Sequence, residues 1–407
     1  MDNQELKVLE DLNKTIELAK GTRLYKYKNL HKLNSLTELS NLPFTSKEDL
    51  RDSYPYGGLA VPQNEIIEVH TTSGTTGKPT LSFFTKKDLT EGSEAISEAW
   101  RTFEISKTSK AMFIMSYGLY SGAALNTYAI QSIGAFVLPA GIQPVKTQVD
   151  FMADFGIDTI IATPGFLLYL YQWMKTNKFD RSKLKLIRAI AAGEVYSNVI
   201  REDIENKLQI KVFDHYGLCE VNTGIAYECA ERKGLHVIDD YVIPEVIDPK
   251  TSKVLPPGEY GELVLTSLRK EASPIIRYRT KDITCIMPGQ CPCGRNRIRI
   301  DRIKSRVGET LFIKGLKIDP YELRDFVRKY LGSKLFAGDM QIIIKENDIK
   351  FTPKILMTLI KGDAKVLKNL EQKVYEFTRV EFQVENVPQE FFNREKNNKV
   401  KFIVHEK

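Results

Sequence analysis

Cysteine is scarce, with five in 407 residues. So small and odd a number excludes the disulfide framework that staples small secreted domains. Long hydrophobic runs are missing too. No apolar stretch approaches the roughly 20 residues that cross a bilayer. The opening MDNQELKVLEDLNKTIELAK carries neither the basic start nor the apolar stretch of a secretory signal. There is no internal repeat and no low-complexity tract. No basic run interleaves with aromatics, so no nucleic-acid partner is expected. The expectation is a cytoplasmic protein with free thiols and no membrane partner.

What is present is ordinary folded composition: 42% apolar and 27% charged residues, too hydrophobic for a disordered chain. At roughly 100–200 residues per domain, the length predicts two to three domains. The formal net charge of +7 is uneven. Residues 301–407 hold 22 Lys+Arg against 16 Asp+Glu, and the rest of the chain is nearly neutral. A basic segment beside a neutral body suits a lid over an anionic ligand; a solvated lysine-rich surface is the plainer alternative.

Residues 4–20 space Leu6, Leu9, Leu12, Ile16 and Leu18 as an amphipathic helix. Further on, short apolar runs alternate with helix-like segments: AMFIM at 111–115, AFVLP at 135–139, TIIATP at 159–164, LKLIRAIAA at 184–192 and IKVFDHYG at 210–217. That alternation predicts an α/β fold with mostly parallel sheets. YVIPEVID, GELVLTSL and DITCIMPG, joined by Pro/Gly turns within 241–288, predict a small β-rich subdomain. The last hundred residues read as a small α+β domain. Pro320 opens a helix, QIIIK and KILMTLI are strands, a second helix follows, and VEFQV and VKFIV close as strands. The predicted division is 1–307 for the large domain and 308–407 for a mobile lid.

The densest chemical signal is His70-Thr71-Thr72-Ser73-Gly74-Thr75-Thr76-Gly77-Lys78-Pro79-Thr80, which leaves the alternating EIIEV. Glycines and hydroxyls make a loop rich in N–H and O–H donors, fit to wrap phosphate oxygens. The Walker A spacing is absent.

This loop resembles the phosphate loop of the adenylate-forming superfamily. The chain resembles that superfamily's phenylacetate–CoA ligase family along nearly its whole length. The motifs occur in order: LPFTSKEDLRDSYPYGGLAVP at 42–62, Tyr117-Gly118-Leu119-Tyr120-Ser121-Gly122, Ala192-Gly193-Glu194, and Asp214-His215-Tyr216-Gly217-Leu218-Cys219-Glu220. Gly261-Glu262-Leu263-Val264, Ile276-Arg277-Tyr278-Arg279-Thr280-Lys281-Asp282 and Cys291-Pro292-Cys293-Gly294-Arg295 complete the series.

The resemblance implies ATP-dependent activation of a small carboxylic acid as an acyl-adenylate. Thioester formation with CoA or a carrier-protein phosphopantetheine follows. The alternatives are an adenylyl transferase of the same fold, ending at an AMP-linked product, and a catalytically inactive nucleotide-binding homologue. Thr72, Ser73, Gly74, Thr75, Thr76, Gly77 and Lys78 would hold ATP phosphates. Ala192, Gly193, Glu194, Asp214, Tyr216, Gly217, Asp282 and Arg306 would complete the ATP site, with Tyr216 stacked on adenine and Asp282 on the ribose. Glu220 would ligate Mg²⁺, a hard cation that takes oxygen donors. Lys396 is the candidate mobile catalytic lysine and Lys399 the runner-up. A homodimer is left open.

Two positions depart from the family pattern. Cys219 stands where Ser or Thr usually precedes the motif glutamate. Ser305-Arg306-Val307-Gly308 replaces the usual Gly-Arg-x-Asp hinge, making Gly308 the expected pivot. Tyr117, Tyr120, Gly122, His215 and Asn222 would line the substrate pocket, with Ala123 and Gly141 shaping its width. Aromatic walls with few charges favour an aryl or arylacetic acid.

Metal-capable residues form two pairs: Cys229 with His236, and Cys291 with Cys293. If β-pairing joins them, thiolates and imidazole suit a structural Zn²⁺. Four unlinked buried residues are the alternative.

Overall fold

The structure is a computed structural model that describes residues 3–72, 78–345, 351–360, 364–388, 391–392 and 402–406. The chain divides into two compact units. One comprises Met1–Ala111, Ser116–Pro139 and Phe213–Ile303; the other comprises Met112–Met115, Ala140–Val212 and Lys304–Lys407. The fold is mixed α/β, with a mostly parallel central sheet and additional small sheets.

In the first unit the helix Asn3–Lys20 buries Leu9, Leu12 and Ile16 of the expected face, together with Ala19, while Leu18 is half-buried and Leu6 is exposed at its first turns. The helix Lys86–Thr102 starts at a capping box, in which Thr85 Oγ1 accepts from the Asp88 amide and Asp88 accepts from the Thr85 amide. Asp88 is fully buried and also accepts from the amides of Glu271 and Ala272, at 2.8 and 3.0 Å. A cap therefore doubles as a clamp on a distant loop.

Strand Lys211–Leu218 pairs antiparallel with Asn222–Glu228, setting His215 opposite Tyr227. Asn222–Glu228 pairs in turn with Leu235–Val237, which pairs with Arg299–Ile300. The β-rich subdomain is an antiparallel run of Val242–Ile247, Gly261–Ser267 and Tyr278–Thr284. Pro244 lies in the first of these, at the sheet edge, where a missing N–H breaks no interior ladder.

In the second unit Thr159–Ala162 and Arg188–Ala192 pair in parallel. Helix Pro164–Thr176 is capped by Thr163 and opened by proline. Helix Asn198–Leu208 is capped by Ser197.

The chain's end is α+β, as its pattern predicts. Asp319 accepts from the amides of Tyr321 and Glu322 to cap helix Pro320–Leu335. Helix Ala364–Thr378 buries Leu370 and Val374. Both pack on a sheet ordered Gln383–Asn386, Lys354–Leu359, Phe336–Ile344, Ile403–His405. The strand expected from VEFQV begins only at Gln383. Val380 and Phe382 precede it and are buried in the same core, so their apolar character reports packing more than strand. Ser197 Oγ donates to Asp325 Oδ1 at 2.8 Å, and Arg324 donates to the Val195 carbonyl at 3.0 Å. These bonds dock the helix Pro320–Leu335 within its own unit.

Candidate active site

Strands Glu68–Thr71 and Leu81–Phe84 form an antiparallel hairpin that closes at Thr71 opposite Leu81. Thr72 Oγ1 lies 2.8 Å from Thr80 Oγ1 across its mouth. Ser73, Gly74, Thr75, Thr76 and Gly77 lie outside the described residues. Lys78 is exposed, its ammonium 5.8 Å from the centroid of the Tyr54 ring.

Strand Lys211–Leu218 carries Asp214, His215, Tyr216 and Gly217. Arg302 Nε donates to Asp214 Oδ2 at 2.7 Å. Tyr216 Oη donates to Asp282 Oδ2 at 2.7 Å. A Cβ at Gly217 would sit 1.8 Å from the Thr223 carbonyl oxygen, so the close approach of the two strands requires glycine. Glu220 is buried; Tyr278 Oη donates to its Oε1 at 3.2 Å and Lys47 Nζ stands 3.6 Å away.

Strand Tyr278–Thr284 carries this arrangement through an irregular stretch: its register against Gly261–Ser267 shifts between Glu262 and Val264, and Lys281 takes φ +65°. Tyr278, Thr280 and Asp282 are all buried along it. The strand thus reaches Glu220 with Tyr278 and Tyr216 with Asp282. Tyr278 was legible as a motif residue, but nothing in its spacing named Glu220 as its partner.

Lys270 was missed altogether by sequence reading. It is buried, and it donates to Ser82 Oγ at 2.5 Å and to the Val221 carbonyl at 3.2 Å. It thereby ties the hairpin strand Leu81–Phe84 to the segment after Glu220. Burial pushes its ammonium down to about 8. The only signal available was a lysine in a segment of strands and turns.

Tyr117 Oη and Thr127 Oγ1 are 2.6 Å apart, and burial raises the phenol to about 12. Tyr120 precedes helix Ser121–Ser132 as its N-cap, and Gly122 in the first turn has open space where a Cβ would stand. Ala123 is buried behind them. His215 is buried 5.9 Å from the Trp100 ring, and burial pushes its imidazole down to about 4. His215 Nε2 and Asn222 Nδ2 are buried and find no partner among the described residues. A buried polar group left without a partner is costly, so each calls for an explanation. Cys219 is half-buried, and desolvation raises its thiol.

In the other unit, Ala192 ends strand Arg188–Ala192 and Gly193 turns the chain at φ +82°. Glu194 Oε2 accepts from the Gly165 amide at 3.1 Å, at the positive end of helix Pro164–Thr176. Gly141 also turns with positive φ. Arg306 is exposed on the short strand Ser305–Arg306. Gly308 sits at φ +90° with nothing within 4 Å of a would-be Cβ. Lys396 and Lys399 lie outside the described residues.

Finally, Cys229, His236, Cys291 and Cys293 converge, with one ligand atom from each lying within 4.8 Å of the others. Cys219 and Cys285 stand outside this group. Among the described residues no helix is long and apolar enough to cross a membrane.

The fold defines a class. A 2-hydroxyisobutyryl-CoA ligase in its postadenylation state matches with a TM-score of 0.89 at 21% identity, over 99% of this chain and 89% of that one. An anthranilate CoA ligase in complex with anthranoyl-AMP matches with a TM-score of 0.62 at 14% identity, over 82% and 65%. At these identities the likeness is one of fold, that of the adenylate-forming CoA ligases.

The sequences carry it further. The family model for AMP-binding enzymes matches residues 9–268. A phenylacetate-coenzyme A ligase of Pseudomonas putida is 39% identical over 73% of this chain and 67% of that protein. One of Escherichia coli (strain K12) is 35% identical over 72% and 68%. The chain belongs to the AMP-binding enzyme family and, within it, to the phenylacetate–CoA ligase-like group. Its class is that of AMP-forming acid–CoA ligases, which activate a carboxylate as an adenylate with ATP and then form the CoA thioester.

Proposed function

We propose that the acid is a small aryl or arylacetic acid and that its carboxylate attacks the α-phosphorus of ATP, releasing pyrophosphate. The CoA thiolate then attacks the acyl carbon and AMP leaves. The observation that carries the site assignment is the pairing of Tyr216 with Asp282 and of Glu220 with Tyr278 along one strand. It supports a ribose subsite at Asp282 and a metal-facing carboxylate at Glu220, both reached from a single strand.

Glu220 suits Mg²⁺ as a buried hard oxygen donor. Lys47 holds its charge in balance at 3.6 Å, and the cation would take over that role. Bound Mg²⁺ would neutralise charge on the phosphates. Lys78 and the hydroxyl loop 72–77 would orient them. Lys396 is proposed to reach the carboxylate during adenylation, carried by residues 308–407 as a lid that pivots at Gly308. A structural Zn²⁺ at the cysteine–histidine group completes the proposed metal set. The free thiols fit a reducing, cytoplasmic setting.

The two buried orphans, His215 Nε2 and Asn222 Nδ2, favour an acid bearing a polar atom or carboxylate oxygen in an otherwise aromatic pocket. Pyrophosphate release measured over a panel of aryl, arylacetic and short acyl acids, with and without CoA, tests this reading. Release that depends on an arylacetate, with thioester formed only when CoA is added, is the expected result. Release with no thiol dependence would favour an AMP-linked end product. Selective turnover of a short aliphatic acid would overturn the substrate assignment.

A further inference from the structure

Residues far apart in the chain meet at one buried point of the first unit. Cys229 directly follows strand Asn222–Glu228. His236 is the middle residue of strand Leu235–Val237, which pairs with Asn222–Glu228 so that Tyr227 faces His236. Strand Arg299–Ile300 returns to the other side and sets Arg299 opposite His236. The turn 291–294 precedes that strand. It is closed by the Gly294 amide donating to the Cys291 carbonyl at 3.0 Å, and Gly294 takes φ +78°. Sheet register fixes the first pair of side chains and the tight turn aims the second pair at them.

The spacings match a tetrahedral ion. Zinc–sulfur bonds of about 2.3 Å and zinc–nitrogen bonds of about 2.0–2.1 Å put tetrahedral S···S edges near ~3.8 Å and S···N edges near ~3.5 Å. Cys229 Sγ and Cys291 Sγ are 3.7 Å apart, and Cys293 Sγ is 3.4 Å from His236 Nε2. A sulfur–sulfur separation of 3.7 Å is far beyond a disulfide bond of about 2.0 Å. Two sulfurs seeking only each other would not need a third sulfur and an imidazole at the same point.

Cys229, His236 and Cys291 are buried to within 4% of full enclosure. A backbone hydrogen bond from Glu231 reaches Cys229, and one from Arg295 reaches Cys293. Amide donors two residues beyond a cysteine stabilise thiolate charge. Three thiolates and one divalent ion leave a net negative charge. Arg295, Arg297 and Arg299 all act on this site electrostatically, and Arg295 also hydrogen-bonds Cys293.

We propose that Cys229, His236, Cys291 and Cys293 hold one Zn²⁺ in a closed Cys3His site whose role is structural. Soft thiolates exclude Mg²⁺ and Ca²⁺ as the resident ion. With four protein ligands there is no open position for water or substrate, so the ion does no chemistry on the acid. Binding releases the three thiol protons to solvent.

The consequence is positional. Residues 285–301 connect the strand bearing Asp282 to Arg302, which pairs with Asp214 at 2.7 Å. The ion pins the middle of that connection to the sheet at His236 and Cys229. Two residues of the proposed nucleotide site thus rest on one clamp. This inference is independent of the acid's identity, because it rests on these four side chains alone.

Metal analysis of the purified full chain is the first test, with about one zinc per chain expected. Stripping the protein with a chelator under reducing conditions and titrating with Co²⁺ is the second. Tetrahedral cobalt–thiolate absorption should saturate near about one equivalent, and melting temperature should drop on stripping and recover with Zn²⁺. Cys291→Ser and Cys293→Ser should abolish the cobalt spectrum. Cys285→Ser, which changes a buried cysteine outside the cluster, should retain it. A protein that takes up neither metal, or a thiolate–cobalt spectrum that survives Cys291→Ser and Cys293→Ser, would overturn the proposal. Because the cobalt titration is read on the unmutated chain, a variant that fails to fold leaves the test intact. Loss of acid activation with the metal site intact would count against the reaction and not against the zinc.

Discussion

Tyr216 donates its phenolic proton to Asp282 Oδ2 across 2.7 Å, although 66 residues separate the two in sequence. That bond orients the carboxylate proposed for the ribose hydroxyls and holds the tyrosine ring proposed for adenine. Each residue therefore positions the other. Asp282→Asn should raise the KM for ATP by about tenfold to a hundredfold, the worth of a hydrogen bond to a charged group. Tyr216→Phe should keep the ring and lose only the tether, with an effect of about tenfold or less. Pyrophosphate-exchange kinetics at varied ATP would check both. Equal KM in all three proteins would remove the ribose assignment.

Glu220 and Lys78 are expected to act on the phosphates through charge. Glu220→Gln and Lys78→Ala should each slow adenylation by about 10²–10³-fold, the usual cost of one oriented charge at a reacting phosphate. For Glu220→Gln the loss should be insensitive to acid concentration and partly relieved by raised Mg²⁺. Exchange rates near wild type in both variants would show that the phosphates bind elsewhere.

Lys396 serves only the first half-reaction in the proposed scheme. Lys396→Ala should lower adenylation by about 10²-fold or more and spare thioester formation from supplied acyl-adenylate and CoA. Lys399→Ala should leave both steps near normal. A Lys396→Ala protein impaired equally in both half-reactions would mean a structural role for the tail.

His215 carries a pH signature. Burial pushes its imidazole to about 4 from the ordinary 6.5. Between those values the unfolded chain binds a proton that the native state refuses, so stability rises with pH across that window. Acidification from pH 6.5 to 4 should therefore cost up to about 3 kcal/mol from this residue alone. Denaturant melts of wild type and His215→Gln at several pH values check it. The variant should show a shallower loss over that range, and parallel curves would mean that His215 is not the titrating group.

The chain's own letters determined the class of chemistry and the order of the elements. Hydroxyl and glycine content makes the segment 70–80 a candidate phosphate loop, because its donors are local to the sequence. Helix starts at Thr85, Thr163, Ser197 and Asp319 are likewise short-range, since each cap bonds an amide within three residues. Partnership was decided only in three dimensions. Glu220 meets Tyr278 across 58 residues, Cys293 meets His236 across 57, and Lys270 reaches Ser82 across 188. Such pairs depend on strand register and on which face of the pleat points inward. A slip of one residue would turn the inward side chains of such a strand outward. Spacing along the chain carries no information about that choice, which the packing of the whole core makes.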